Sequence, residues 1–507
     1  MGPLDFWFIH IVNDGINKAA RAYGIPIEYH DRLINTYAYG STIPRELPAG
    51  EAYQCPEKTI DLLARRWDSE WLPEIQEQLA FWENFDLEGC NDDDLLTHLA
   101  ATEQRLHRVW EIHFLLFIPM MLAISRYEDL FNAVIGTEAG FDAYDLLAGF
   151  DTKTLESGRL LWRLSRKAEP EVRELFATAD PASIFEKLEA LPAAAKFLAG
   201  LREYLELHGH RGDKLLISYP FWIEDPTPVI TGIRDHINQP LKDMDAELAA
   251  TAATRERHIN TAREILRNHP ASTRERFDDY LANAQLSYRL KEDHGYWIDY
   301  KTSYQVRRVM LEFGGRLANR KSIARRDDVF LLKHEEILRL KTSPDLAEAI
   351  NDRRKAMDRY SIVTAPELLG TPSNEPPPDD PVSAMFMKME GEPPPSAATD
   401  KEIYGTAASK GVVRGTARIL KTVADSPRLN PGEILVAETA LPAWEPLFAK
   451  AAAIVTDTGG RLCHCALLAR EHGLPTVVGT GSATRQIKDG AKIEVDGGAG
   501  IVRILSN

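Results

Sequence analysis

Cysteine is scarce in this sequence, with four residues in a chain of 507. So few cysteines exclude a scaffold held together by disulfides. Two of them, Cys463 and Cys465, flank a single histidine and lie too close together to join distant parts of the chain. We therefore expect a reducing, cytoplasmic compartment.

Positive charge is also in short supply, because 60 lysines and arginines face 76 aspartates and glutamates, a net charge of −16. A field of that sign repels phosphate groups, so neither nucleic acid nor an anionic membrane is an expected partner. Long hydrophobic runs are missing too. The most apolar stretch, residues 114–124, is shorter than the roughly 20 residues that a membrane-spanning helix needs, and it predicts a buried helix. The first residues lack the basic and apolar regions of a signal peptide.

The composition changes twice along the chain and predicts three parts. Residues 1–366 place apolar side chains at helical spacing and predict a large, mainly α-helical domain. Residues 367–400 contain two triple-proline runs, which are typical of a semi-stiff linker. Residues 401–507 contain short β-branched runs bounded by glycine and proline, alternating with helical stretches, and predict a compact α/β domain. The predicted fold class is a multidomain α plus α/β protein.

The strongest chemical motif is TDTGGRLCHCALLAREHG, which begins at Thr456. A buried strand leads into a Gly-Gly turn, and His464 then opens a helix. The turn allows the backbone to approach a ligand closely, and the free N–H groups of a helix start favour an anion. A neutral imidazole at this place can attack phosphorus, and the helix start would stabilise the resulting phosphohistidine.

Other interpretations of His464 remain open. The Cys-His-Cys sequence is compatible with a zinc or redox site, but three adjacent residues on one turn cannot easily point at one tetrahedral metal. We therefore predict no metal site in this chain. A structural histidine with its hydrogen bonds satisfied is the second alternative.

Residues 403–505 resemble a known domain along three segments: YGTAASKGVVRGTARIL, the long segment from Gly432 to Gly481, and IKDGAKIEVDGGAGIVRIL. They are similar to the swivelling phosphohistidine domain of PEP-utilising enzymes. The resemblance implies a β/β/α domain in which His464 takes a phosphoryl group at one site and passes it to an acceptor at another. It also implies a phosphate loop made of Thr456, Asp457, Gly459, Gly460, Arg461 and Cys463.

Two positions of this loop carry open questions. The family usually has serine or threonine directly before the phosphorylated histidine, whereas this chain has Cys463, a weaker hydrogen-bond donor. Asp457 and Arg461 are also compatible with a solvated loop pair that has no contact with phosphate.

The helical part carries a second resemblance. Residues 207–230 and 294–332 are similar to the helical substrate-binding domain of rifampin phosphotransferase and its relatives. This implies that the acceptor binds in the helical domain, and the sequence offers two candidate groups for it. The first is the turn HGHRGD, with His208, His210 and Arg211, whose imidazoles and guanidinium could deprotonate a hydroxyl and hold a phosphoryl group. A polar helix-end cap is the alternative for this turn.

The second candidate group is the aromatic segment HGYWIDY. Its side chains suit a flat aromatic acceptor, by stacking and one or two directed hydrogen bonds. Aromatic core packing is the alternative. The residues of this group are His294, Tyr296, Asp299 and Tyr300.

The family comparison also predicts a partner. The chain has no GxxxxGK[ST] motif, and its first 366 residues look too helical for an ATP-grasp fold. Its layout resembles a phenylphosphate synthase-type or rifampin phosphotransferase-like subunit that lacks the ATP-grasp domain. We expect a phosphotransferase subunit that works with a separate ATP-grasp subunit, which binds ATP and Mg²⁺. The expected acceptor is an aromatic hydroxyl, that of a phenol, and the product is an aryl phosphate. The alternatives are an antibiotic hydroxyl as the acceptor, or a non-catalytic phosphocarrier or regulatory protein.

Overall fold

The computed structural model describes residues 1–46, 57–136, 139–212, 214–238, 243–342, 344–363, 365–366, 369–371, 381–391, 401–441 and 444–506. The chain divides into two compact units. The first unit comprises Met1–Met120, Lys214–Pro220 and His294–Pro377. The second comprises Met121–Asp213, Phe221–Asp293 and Pro378–Asn507. The domain boundaries at 366 and 400 stay a prediction.

The first unit is mainly helical, because its sequence repeats apolar residues with helical period. Beside the first part of helix Asp92–Val134 it contains the α-helices Pro3–Ala22, Glu57–Ile60, Leu63–Arg66, Leu72–Glu83, Ser303–Asn319, His334–Ile337 and Ala347–Ser361, the π-helices Trp67–Trp71 and Tyr296–Thr302, and the 3-10 helix Arg326–Leu331. Fully buried aromatic side chains such as Phe8, Trp71 and Phe313 fill its core.

The first unit also contains an antiparallel hairpin that the sequence reasoning missed. Its strands are β1 (Ile27–Ile34) and β2 (Tyr37–Pro44), and Asn35 in the two-residue turn has a φ of 59°. Exposed and half-buried residues alternate along β1. Both faces of the strand carry polar side chains, so the hydrophobic alternation that marks a strand is absent.

The helical portion of the second unit is a bundle with its own apolar core, which includes Leu161, Phe176, Leu201 and Ile230. Its α-helices are the remainder of Asp92–Val134, then Lys153–Arg166, Pro170–Thr178, Pro181–Ala190, Ala195–His208, Thr227–Asn238, Met244–Ile265 and Ala271–Gly295. Its 3-10 helices are Ala143–Leu146, Pro192–Ala194 and Leu266–Asn268.

The C-terminal portion of the second unit is built around an eight-stranded mixed sheet. Its strands are β3 (Glu402–Tyr404), β4 (Thr406–Ser409), β5 (Val412–Ile419), β6 (Ile434–Ala437), β7 (Ala453–Thr456), β8 (Thr476–Val478), β9 (Lys492–Asp496) and β10 (Ile501–Ser506). The sheet order is β3-β10-β9-β5-β6-β7-β8-β4, and β5 to β8 are parallel. The helices here are Val423–Arg428 (3-10), Glu445–Phe448, His464–Glu471 and Ala483–Gln486.

The sheet is buried on both faces, as the continuous apolar runs of its parallel strands require. In β6, the side chains of Leu435 and Ala437 join one apolar cluster. Those of Ile434 and Val436 join another. A mainly helical region together with a C-terminal mixed sheet confirms the predicted fold class.

The predicted linker contains a helix in its middle, Pro381–Glu390. Val382 and Met385 of this helix are buried, as expected for an apolar island that docks on a neighbouring surface. The two triple-proline runs, within residues 372–380 and 392–400, lie outside the described residues.

Within the described part of the chain, one helix, Asp92–Val134, is long and apolar enough to cross a membrane by length and composition. In its most apolar window, 72% of the residues are buried inside the protein. Leu116, Met120 and Ile124 have no exposed surface. Residues 114–124 therefore form a buried helix, as predicted, and the cytoplasmic compartment stays a prediction.

Candidate functional site

His464 is the first residue of helix His464–Glu471, which follows β7 and a seven-residue loop, residues 457–463. Cys463 is the N-cap of this helix, with extended backbone angles, and its Sγ accepts a hydrogen bond from Ala466 N at 3.4 Å. A serine or threonine side chain does the same at most N-caps. Cys463 therefore performs the capping role of the hydroxyl residue that the family usually has here.

Gly459 and Gly460 shape the loop in front of His464. Gly459 has a φ of 102°, and a Cβ on it would lie 2.8 Å from Cys463 Sγ. A Cβ on Gly460 would lie 2.4 Å from the Lys388 carbonyl oxygen, and Gly460 N donates to Met389 O at 2.8 Å. Both positions therefore require glycine, the first for its left-handed backbone and the second because the linker helix approaches closely.

The imidazole of His464 lies against a buried carboxylate on helix Ala271–Gly295. His464 Nδ1 and Glu292 Oε1 are 2.9 Å apart. The His464 side chain is 30% exposed, whereas that of Glu292 is 5% exposed. A carboxylate on Nδ1 selects the tautomer in which Nδ1 carries the proton, so the lone pair is on Nε2.

Glu292 is held in its ionised form. Burial by itself raises the pKa of this carboxyl, but the charge and hydrogen bond of His464, the Lys291 ammonium and the Thr154 hydroxyl lower it well below its usual range. Thr154 Oγ1 donates to Glu292 Oε2 at 2.8 Å, and Lys291 Nζ lies 3.8 Å from Glu292 Oε1. A permanent negative charge thus lies beside the ring that would become positive on phosphorylation.

The first turn of helix Lys153–Arg166 links this pair to Arg211 of the HGHRGD turn. Lys153 N donates to Asp293 Oδ1 at 2.8 Å, and Arg211 Nη2 donates to the Lys153 carbonyl at 2.8 Å. Burial and the neighbouring Glu292 charge raise the pKa of Asp293 to about 6, against the opposing hydrogen bond from Lys153 N. Asp293 is thus a carboxyl whose pKa suits a general base near neutral pH.

The two histidines of the HGHRGD turn have different environments. His208 is fully buried at the end of helix Ala195–His208, and its Nε2 lies 3.8 Å from Glu156 Oε2. Glu156 also accepts from Lys153 Nζ at 2.6 Å. His210 is half-buried. The structure therefore brings His208 and Arg211 to the same helix turn that carries Thr154, the partner of Glu292.

The remaining predicted loop residues have structural partners. Thr456 is fully buried, and its Oγ1 donates to Thr458 O at 2.8 Å. Asp457 accepts hydrogen bonds from the backbone and hydroxyl of Thr484. Arg461 Nη1 donates to Glu128 Oε1 at 3.3 Å.

Asp457 and Arg461 thus have different partners, and the structure places them as anchors of the loop. Asp457 connects it to helix Ala483–Gln486, and Arg461 connects it to helix Asp92–Val134. A direct phosphate contact by either residue stays a prediction.

The zinc or redox interpretation of Cys463 and Cys465 finds no support in their environment. Burial raises the pKa of both thiols. The thiolate is the form that binds metal and reacts with oxidants. Cys465 is also part of the apolar cluster beneath the sheet.

The aromatic group lies in the first unit. Tyr296 and Tyr300 are at most 5% exposed, as core packing requires. The Lys301 ammonium lies 5.2 Å from the centroid of the Tyr296 ring. His294 and Asp299 are also buried and share one cluster with His113, a residue that the sequence reasoning did not select. Whether these residues bind an acceptor stays a prediction.

Glu292, Asp293, Thr154 and Lys291 are site residues that the sequence analysis missed. No motif marks them. Their signal is the run Lys291-Glu292-Asp293, three consecutive charges in a helix whose neighbouring residues are buried. Buried charges are rare unless they are paired, so such a run indicates a polar site.

Two family comparisons cover the residues of this site. Residues 429–500 match the mobile domain of PEP-utilising enzymes, and residues 113–292 match the fourth domain of rifampicin phosphotransferase. Among similar proteins, the uncharacterised phosphotransferase YvkC of Bacillus subtilis is 31% identical over 78% of this chain and 47% of its own length. Rifampicin phosphotransferase of Streptomyces sviceus is 29% identical over 67% of this chain and 38% of its own length.

Residues 113–292 and 429–500 thus belong to the PEP-utilising, rifampicin phosphotransferase-like family. Chondramide synthase cmdD of Chondromyces crocatus is also similar to this chain, with 39% identity over the whole chain and 13% of the synthase. The chain therefore spans less than half the length of each of these three relatives. His464 lies in the region matched to the mobile domain, and Glu292 in the region matched to the fourth domain, so their hydrogen bond joins the two matched regions.

Proposed function

We propose that this chain is a phosphotransferase component that carries a phosphoryl group on His464 from ATP to a hydroxyl acceptor. The main support is the hydrogen bond between His464 Nδ1 and Glu292, which leaves Nε2 as the nucleophile on a partly exposed ring. The phosphotransferases among the relatives and the match to the mobile domain of PEP-utilising enzymes support the same class of reaction.

We place the donor site on a separate ATP-grasp subunit that binds ATP and Mg²⁺. Mg²⁺ bound there would neutralise phosphate charge during transfer. Among the residues that the structure describes, the one group with the geometry to hold a metal is His113, His294 and Asp299. Mg²⁺ prefers oxygen ligands, so this imidazole-rich group does not suit it.

The first half-reaction would phosphorylate His464. The Nε2 lone pair attacks the β-phosphorus of ATP, an N–P bond forms, and the P–O bond to the α-phosphorus breaks, so that AMP leaves. Water then attacks the γ-phosphorus of the pyrophosphorylated histidine, the P–O bond between the β- and γ-phosphorus breaks, and phosphate is released. The attack makes the imidazole ring positive. The start of helix His464–Glu471 moves with the ring and would favour the negative charge of the new phosphate. Glu292 lies in the helical portion of the unit and would orient the ring through the proton on Nδ1 when His464 returns to it for the second half-reaction.

The second half-reaction would pass the group to the acceptor. The acceptor oxygen attacks phosphorus, a P–O bond forms and the N–P bond breaks, returning its electron pair to Nε2. The hydroxyl proton needs a base, and Asp293 and His210 are the candidates. Arg211 would hold the transferring phosphoryl oxygens, and the fully buried His208 would position this turn. Movement of the phosphohistidine domain on its Pro-rich linker would connect the two half-reactions.

The proposed acceptor is an aromatic hydroxyl, that of a phenol, and the product is the aryl phosphate. The aromatic segment from His294 to Tyr300 supports this choice by its composition. The second candidate acceptor is a hydroxyl of a rifampicin-type antibiotic. The match of residues 113–292 to a domain of rifampicin phosphotransferase favours that alternative.

The test combines the full chain, an ATP-grasp subunit and ATP labelled at the β-phosphate, with either phenol or rifampicin as acceptor. We expect label to appear first on the chain and then on one acceptor, with AMP and phosphate released. His464→Ala should abolish both signals. His472→Ala removes another histidine near the same helix, and this variant should become labelled and transfer the label like the wild type.

Four outcomes separate the interpretations. Label on phenol supports the proposal, and label on rifampicin alone supports the antibiotic alternative. Label that stays on His464 with either acceptor contradicts acceptor transfer and favours a phosphocarrier or regulatory protein. Full transfer by His464→Ala would rule out the phosphohistidine route.

A further inference from the structure

Three buried side chains in the first unit have the composition and geometry of a metal site. They are His113 on helix Asp92–Val134, His294 at the end of helix Ala271–Gly295, and Asp299 on the π-helix Tyr296–Thr302. Their nitrogen and oxygen atoms all lie within 4.8 Å of one another, and His113 Nδ1 is 3.1 Å from Asp299 Oδ1. We propose that these residues bind a divalent transition-metal ion of the zinc class.

The surroundings favour a bound cation. His113 and Asp299 side chains are 10% and 11% exposed, and His294 is 2% exposed. The rings of Trp110, Phe114 and Phe117 surround His113. Such an apolar shell strengthens the attraction between a carboxylate and a divalent ion, because the dielectric there is low.

The local backbone also indicates a functional site. Asp299 lies in a seven-residue π-helix between two α-helices. π-Helical turns inside α-helices are uncommon and occur frequently at functional sites. Here the wider turn brings Asp299 to His113.

The donor set selects the kind of metal. Two imidazole nitrogens and one carboxylate oxygen suit Zn²⁺, Fe²⁺ or Co²⁺, whereas Mg²⁺ and Ca²⁺ prefer oxygen ligands throughout. Three protein ligands leave at least one coordination position for a water or another oxygen ligand. The proposal of metal binding does not depend on the proposed function.

The experiment uses the full chain, freed of metal by a chelator and then dialysed against Zn²⁺ or Co²⁺ alone. We expect one ion per chain by elemental analysis, and a higher unfolding temperature with Zn²⁺ because the ion binds the folded state. The Co²⁺ form should show visible absorption without a sulfur-to-cobalt charge-transfer band. His113→Gln and Asp299→Asn should each weaken Zn²⁺ binding at least tenfold.

Two control variants make the result specific. The first control is His107→Gln, on the same helix as His113. His107 pairs with the carboxylate of Asp14 and does not belong to the cluster of His113, His294 and Asp299, so this variant should bind Zn²⁺ like the wild type. His464→Ala should also keep the ion while losing phosphorylation, which separates this proposal from the proposed function.

Several results would overturn the metal site. They are less than about half an ion per wild-type chain, undiminished binding in both His113→Gln and Asp299→Asn, or loss of the ion in His464→Ala. A sulfur-to-cobalt band would assign the ion to a cysteine. The wild-type stoichiometry and spectrum decide the question even if a variant does not fold.

Discussion

The residue pair His464 and Glu292 combines a partly exposed imidazole with a buried carboxylate that Thr154 and Lys291 also contact. A buried carboxylate stays ionised only while its partners compensate its charge. In this docked state His464 therefore has a fixed tautomer, with the proton on Nδ1 and Nε2 free to hold the phosphoryl group, and a negative charge beside the ring.

Replacing Glu292 with glutamine tests the charge while keeping the shape. We expect Glu292→Gln to lower the rate of phosphoryl transfer from His464 to the acceptor by about 10- to 100-fold, the usual effect of losing a group that orients a reactive histidine. Rapid-quench measurement of labelled chain would give that rate. The Glu292→Asp variant keeps the negative charge and should recover part of the lost rate. Equal rates for the wild type and Glu292→Gln would contradict the orienting role of Glu292.

Cys463 gives a second prediction for a single residue. Serine at this position preserves an N-cap acceptor, so His464 of the Cys463→Ser variant should be phosphorylated at the wild-type rate. Alanine removes the acceptor for Ala466 N, and Cys463→Ala should lower the free energy of unfolding by about 1 kcal/mol. Chemical denaturation would measure it. Equal stability of the wild type and the alanine variant would mean that the sulfur contributes no cap.

Among the elements, the linker helix Pro381–Glu390 lies against the phosphohistidine loop on one side and helix Asp92–Val134 on the other. Gly460 N donates to Met389 O, and Lys388 Nζ contacts Asp129 Oδ1 at 2.7 Å and Glu128 Oε2 at 3.2 Å. Glu128 is buried and is also contacted by Arg461. Lys388 therefore compensates part of a buried negative charge.

Removing the Lys388 ammonium should weaken the contact between the linker helix and helix Asp92–Val134. We expect Lys388→Met to lower the free energy of unfolding by about 1–3 kcal/mol, because Glu128 would keep only part of its compensation. The matched control is Lys355→Met, since Lys355 is 68% exposed and its effect should stay within about 0.5 kcal/mol. Denaturant titration of both variants would measure the difference, and equal stabilities would show that the linker helix contributes little.

The elements of the C-terminal sheet follow closely from the sequence. The short β-branched runs predicted there form strands β5 to β10, and a helix begins at His464 as predicted. Short β-branched runs between glycines leave little alternative to a buried parallel strand. The hairpin β1–β2 was not predicted because neither of its faces is consistently apolar, although Asn35 at positive φ is a turn residue by type.

The site divides along similar lines. The position of His464 follows from local signals, namely a strand, a glycine pair and a helix start. Glu292 lies 172 residues away, and nothing in its local sequence specifies its contact with His464. His113 was missed for the same reason, because only the tertiary fold places it beside His294 and Asp299.

For the molecule as a whole, pH sensitivity should reflect the contact between the phosphohistidine domain and the helices of its own unit. Glu471, at the end of helix His464–Glu471, accepts from Gly149 N at 2.9 Å, and burial raises its pKa to about 7. A carboxyl with a raised pKa stabilises the fold fully below its usual pKa, and this stabilisation is lost as pH rises through about 7.

The corresponding prediction compares two unfolding curves. Wild-type stability should fall between pH 4.5 and about pH 7, and Glu471→Gln, which stays neutral, should fall less over the same range. Thermal unfolding of both proteins at several pH values would measure this difference. Other titrating groups cancel because both proteins contain them. Parallel curves for the two proteins would exclude Glu471 as the source.

The central claim is that the Nε2 atom of His464 carries the phosphoryl group. Phosphorus-31 NMR and mass spectrometry of the full chain, after incubation with ATP and an ATP-grasp subunit, test it most directly. We predict one acid-labile phosphate on His464, bound through Nε2 because Nδ1 faces Glu292. Phosphate on another residue, attachment through Nδ1, or an unmodified His464 after turnover would contradict it.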